Sequence, residues 1–163
     1  MIILFNKPFN VICQFTDKED RKNLSDFIDL KNIYAAGRLD YDSEGLVVLT
    51  DDGKLQNQIS DPKNKLEKTY WAQVEGVPTE ESLIKIRKGI LLKDGITKPA
   101  KVKIINAPKI WERNPPIRKR INIPTSWIEL KIIEGKNRQV RRMTAVIGYP
   151  TLRLIRFAVG DWN

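Results

Sequence analysis

Residues 37–45 read Gly37-Arg38-Leu39-Asp40-Tyr41-Asp42-Ser43-Glu44-Gly45, with β-type runs at Ile33–Ala36 before and Leu46–Thr50 after. The pattern predicts a polar turn held on a stiff, half-buried frame, an arrangement that commonly displays catalytic side chains. The chain has no histidine and one cysteine. Most designs for nucleophiles, bases and metal centres are thereby excluded. If the protein is an enzyme, a carboxylate does the work, and Asp40 leads. Asp42 and Glu44 alternate with it and are expected to face solvent or a ligand.

Working outward, Ile2–Phe5 and Val11–Phe15 read as short strands around Lys7-Pro8-Phe9-Asn10, and 24–30 as a short helix. After the exit strand, Asp51-Asp52-Gly53 breaks the run, and a helix over 54–60 ends near Asp61-Pro62. Lys68–Glu75 alternates with period 2 and reads as a strand. Thr79-Glu80-Glu81 opens a helix with a cap and two acids at its positive end, running to Lys88 with Gly89 as its stop. Short strands follow over 90–107 and a Pro115-Pro116 loop over 108–125. Trp127–Ile133 is a strand, Asn137–Ile147 a helix and Thr151–Val159 a final strand. Strands outnumber helices without strict alternation. The expected class is α+β, with a mixed, mainly antiparallel β-sheet and flanking helices.

The 163 residues fit one domain, and the net charge of +9 is unevenly spread. Residues 109–120 hold Lys109, Arg113, Arg118, Lys119 and Arg120 against Glu112, a balance of +4; residues 136–156 carry six cations and no acid. The rest of the chain is close to neutral. A basic surface built from two segments, richer in arginine than lysine, suits a phosphate backbone. No apolar stretch approaches the ~20 residues that cross a membrane, and the first residues lack the marks of a secretory signal. A cytoplasmic address is expected.

In the 137–147 helix, Val140, Met143 and Ile147 form a buried stripe, while Arg138, Arg141 and Arg142 share another face. Cations so close call for an anion, either an RNA phosphate or a buried carboxylate. Asp40, Asp42, Glu44, Gly45 and Asp51 fit positions of a calcium loop, but position 12 wants glutamate and the flanking helices are missing. No metal is expected. Two readings from other classes stay open at this point: a non-catalytic RNA-binding module, and a metal-dependent RNA hydrolase built on Asp40, Asp42 and Glu44.

Four motifs occur in order: Asn6-Lys7-Pro8; Gly37-Arg38-Leu39-Asp40 with Gly45; Lys68-Thr69-Tyr70; and Glu134-Gly135-Lys136-Asn137-Arg138-Gln139-Val140-Arg141-Arg142-Met143. This order resembles the RNA pseudouridine synthases of the ribosomal small-subunit type, over essentially the whole chain. Gly76–Glu81 and Thr151–Arg156 draw the resemblance toward members that act on large-subunit (23S) ribosomal RNA. The resemblance implies a catalytic domain with a central RNA-binding cleft; many members also carry a small N-terminal RNA-binding accessory domain, and in departure from them a single catalytic domain over 1–163 without it is expected here. It implies that Asp40 is the catalytic aspartate, Tyr70 the active-site tyrosine and Arg141 the basic partner of the aspartate. Leu154 would pack against the target base and Arg38 would contact the RNA. Lys136, Arg138 and Arg142 would bind substrate.

The implied reaction breaks the N1–C1′ bond of uridine, turns the uracil and rejoins it through C5. It neither gains nor loses atoms, so no cofactor is required, and a monomer is expected. A carboxylate at the sugar suffices, by covalent attack or by proton abstraction to a glycal; a cationic neighbour keeps such a carboxylate ionised. Tyr70 and Leu154 would sandwich the freed base, which must first leave its stack.

Overall fold

The apolar run after the 37–45 turn becomes β3 (Glu44–Thr50), and every one of its residues is buried. The protein is described here from a computed structural model covering residues 1–118 and 120–163. Lys119, counted above in the basic segment, lies outside the described residues.

One edge of β3 pairs antiparallel with β1 (Ile2–Lys7), from Ile2↔Thr50 to Lys7↔Gly45. The other edge is shared. β2 (Tyr34–Ala36) takes its far end, with Ala36 opposite Val48. β9 (Thr151–Val159) takes its near end in parallel, through Glu44↔Ile155 and Gly45↔Arg156. The 37–45 turn leaves the sheet at this fork. Leu46, between the two partners, offers its carbonyl to Arg156 Nε at 2.9 Å, while Arg156 Nη2 reaches the Gly37 carbonyl at 2.8 Å. A side chain thus replaces ladder bonds that neither strand supplies. Gly45 has a φ of +107°, and a Cβ there would sit 2.3 Å from the Arg156 carbonyl oxygen. Only glycine lets β9 approach so closely.

Beyond β9 the sheet continues through β4 (Lys68–Glu75) and β8 (Thr125–Ile132) to β7 (Lys101–Ile105), all antiparallel. The sheet is mixed and mainly antiparallel, as the sequence leads one to expect. A small hairpin pairs β5 (Leu91–Leu92) with β6 (Gly95–Ile96). α1 (Gly53–Ser60) packs on β2 and β3, and α2 (Glu80–Lys88) on β7. Thr79 caps α2 and Gly89 ends it at a φ of +113°. α3 (Gln139–Val146) buries Val140 and Met143 against Ala72, Leu130 and Leu154 in the main core. Tyr70 touches both this core and a second one around Leu24, Leu39, Val47 and Leu49.

Three expectations are corrected. Residues 11–15 form no strand; Ile12 makes a single bridge to Asn23, because β3 offers Ile2–Lys7 a longer apolar partner. The helix expected over 24–30 is one turn, Leu24–Asp26, whose reciprocal Asn23–Asp26 cap leads into no buried stripe. Arg138 does not ride on the α3 face. It caps the helix in the left-handed conformation, at a φ of +51°, which frees its side chain to reach the 37–45 turn.

Candidate active site

Between the 37–45 turn and the 135–140 segment lies a cleft of about 510 Å³. Arg38, Asp40, Tyr70, Lys136, Arg138 and Leu154 all line it. Asp40 is half-buried, and Arg138 Nη1 stands 3.5 Å from its Oδ2. The same guanidinium forks onto Asp42, at 2.9 and 2.8 Å, and holds that carboxyl below its usual range.

The turn is pinned along its length. Arg156 holds the Gly37 carbonyl; the Asn10 N–H donates to the Tyr41 carbonyl at 2.9 Å, and Lys7 Nζ reaches that oxygen at 3.3 Å. Lys7 is wholly buried and also donates to the carbonyls of Pro8 and Val11. Burial pushes its ammonium down to about 8, against the pull of nearby acids. Arg141 Nη2 donates to the Asp42 carbonyl at 2.8 Å. The direct cation at Asp40 is therefore Arg138, where Arg141 was expected, because Arg141 spends its guanidinium on the backbone of the turn and stands 3.7 Å from the Asp42 carboxylate. Arg142 lies outside the cleft lining, forked onto Asp94 of the β5–β6 hairpin at 2.8 and 3.1 Å.

Glu44 overturns its expectation most clearly. It is 1% exposed rather than facing solvent or RNA. Arg153 Nε and Nη2 each donate to it at 2.9 Å, and Trp111 Nε1 at 2.8 Å. Asp42 and Glu44 are thus each neutralised by their own arginine. Among the described residues no cluster of three metal-ligating side chains forms, and the carboxylates of the hydrolase reading do not converge. The arginines of 136–156 are largely spoken for inside the protein: Arg138, Arg142 and Arg153 pair with the carboxylates of Asp42, Asp94 and Glu44, of which Glu44 alone is buried, and Arg141 and Arg156 donate to backbone carbonyls. Arg113 likewise donates to the carbonyls of Pro115, Pro116 and Leu152 and stacks over Phe9 at 4.0 Å.

Residues 1–146 match the family described as RNA pseudouridylate synthase. The chain belongs to that family. It is 62% identical over 160 residues to ribosomal large subunit pseudouridine synthase E of Vibrio parahaemolyticus, covering 98% of this chain and 67% of the relative. Identity to the synthase E of Xanthomonas axonopodis pv. citri is 53% over 166 residues, covering 100% and 87%. A solved structure titled crystal structure of pseudouridylate synthase superposes with a TM-score of 0.79 at 32% identity; the match covers 98% of this chain and 63% of that one.

The cleft of this pseudouridylate synthase holds residues that the sequence reading passed over. Lys68 and Arg156 line it. Burial, then the Arg156 charge, lowers the Lys68 ammonium, which donates to the Glu134 carbonyl at 3.1 Å. The period-2 rule that puts Tyr70 and Leu154 in the cleft places Lys68 and Arg156 beside them, so the signal was present. Ser43 also lines the wall, its hydroxyl buried with no partner among the described residues. Counted over the lining residues, Arg38, Lys68, Lys136, Arg138 and Arg156 face one carboxylate, Asp40. Such a cleft attracts a polyanion and presents a single acid to it.

Proposed function

We propose that this protein converts a uridine of large-subunit ribosomal RNA to pseudouridine, with Asp40 as the acid that acts at the sugar. The observation that carries the reading is the cleft itself. One carboxylate stands among five cations, with the Tyr70 ring and the Leu154 side chain as apolar neighbours. The C1′–N1 bond breaks, the uracil turns between Tyr70 and Leu154, and a C1′–C5 bond forms; N1 gains a proton as C5 loses one. Asp40 either attacks C1′ or abstracts a sugar proton to give a glycal. The reaction is redox-neutral and conserves every atom, so it calls for no cofactor.

Arg38 and Lys136 are assigned to the RNA backbone, Arg138 to holding Asp40 and Asp42 in place, and Arg141 to supporting the turn. Arg142 would act through the Asp94 hairpin at the cleft's rim. The cleft is completed by one chain's own residues, which favours a monomer, and no helix among the described residues is long and apolar enough to cross a membrane. A cytoplasmic site of action follows from the substrate.

The test incubates the protein with large-subunit ribosomal RNA plus a chelator and maps pseudouridine by carbodiimide-blocked reverse transcription. New pseudouridine with intact strands is expected. Asp40→Asn should abolish it while RNA affinity stays within a few-fold of wild type. An active Asp40→Asn enzyme would sink the mechanism; binding without product would leave an RNA-binding module, and magnesium-dependent strand scission a hydrolase.

A further inference from the structure

The loop between β7 and β8 carries exposed cations, Lys109 and Arg118 among them, and is anchored to the body at several points. Trp111 is one of them. It is 41% exposed, but its indole N–H lies 2.8 Å from Glu44 Oε1, its carbonyl accepts from Arg153 Nη2 at 2.9 Å, and its ring lies 5.7 Å from the Arg153 guanidinium carbon. Arg113 adds a bond to the Leu152 carbonyl at 3.2 Å and a stack on Phe9. All of these anchors land on pieces that hold the active-site turn. Glu44 ends the turn four residues after Asp40, Leu152 lies two residues before Leu154, and Phe9 adjoins Asn10, whose N–H holds the Tyr41 carbonyl.

We infer that Trp111 is a positioning residue that couples the basic loop to the catalytic turn, so that RNA held outside the cleft helps to set Asp40 against its uridine. The inference rests on the functional reading above. Glu44 accepts two bonds from Arg153 besides the one from the indole, so its charge has a partner of its own. What the contact adds is a rigid link between a surface that can grip phosphates and the acid at the sugar. Binding energy gathered far from the reacting atoms raises a rate only when such a link converts it into alignment. Among the described residues of the loop, the indole N–H is the one donated to a side chain of the turn itself.

The experiment compares two RNAs, full-length large-subunit ribosomal RNA and a short stem-loop excised around the modified uridine. Single-turnover rates are measured at saturating enzyme for wild type and for Trp111→Phe, which keeps a ring and removes the N–H. The wild type should react faster on the long RNA than on the short one. Trp111→Phe should lose roughly 10- to 100-fold on the long RNA, little on the short one, and melt close to wild type. A residue that only stabilises the fold would slow both RNAs by the same factor, or neither, and either result overturns the inference. A wild type that makes no pseudouridine on either RNA overturns the functional reading instead.

Discussion

Glu44→Gln removes one charge from a pair buried at the seam of the sheet, and the structure sets the size of the effect. Glu44 and Arg153 are 1% and 7% exposed, and two bonds of 2.9 Å join them. Removing one partner of a buried, hydrogen-bonded ion pair leaves the other charge uncompensated, at a cost of about 3–5 kcal/mol. Glutamine keeps one acceptor oxygen, which favours the low end. Its amide N–H₂, however, must face a donor from either Arg153 or Trp111. For a chain of this length each kcal/mol shifts the melting temperature by about 2–4 °C, so a drop of about 6–20 °C is expected. Circular dichroism melts at fixed protein concentration and neutral pH read it directly. Arg153→Met should cost a similar amount. The double variant should cost less than the two singles together, with a coupling of about 0.5–3 kcal/mol. A Glu44→Gln protein melting within about 2 °C of wild type, or strictly additive singles, would refute the view that these side chains act as one buried unit. Added magnesium should restore nothing.

Tyr70→Phe keeps the ring beside the uridine and removes the hydroxyl; if that hydroxyl handles a proton, turnover falls while RNA binding holds, and full activity leaves Tyr70 with stacking alone. Arg118→Ala with Arg120→Ala should flatten the salt dependence of RNA binding, each lost phosphate contact lowering the log–log slope by roughly 0.7 to 0.9, and an unchanged slope removes these side chains from the interface. Lys7 titrates at about 8 in the folded protein against an ordinary 10.5, so between those values the unfolded chain binds the extra proton and stability rises with pH. Urea titrations of wild type against Lys7→Met should show the wild type gaining by about 3 kcal/mol from pH 7.5 to 10.5; a constant difference would mean that the buried ammonium is not destabilised.

Much was legible in the chain because it is local. The strand Lys68–Glu75 keeps the bounds that its alternation implies, Thr151–Val159 is a strand over the bounds expected for it, and α2 starts and stops at Thr79 and Gly89, where a hydroxyl cap and a positive φ act within one turn. Asp40 was legible from a polar turn between two strands, whereas Tyr70 and Leu154 were reached through the family resemblance, and all three line the cleft. What the sequence could not reveal is who partners whom. Arg138, Arg141, Arg142, Arg153 and Arg156 read as one basic run suited to phosphate, yet folding spends them on Asp42, on its carbonyl, on Asp94, on Glu44 and on the carbonyls of the fork. Glu44 looked exposed because a turn residue's neighbours in sequence are polar, but its neighbours in space are Arg153, 109 residues on, and Trp111. Propensity, capping and periodicity are properties of a few consecutive residues, and the sequence determines them alone. Burial of a charge is decided only when β9 closes against Gly45, because desolvation and pairing depend on what the whole chain brings within 3 Å.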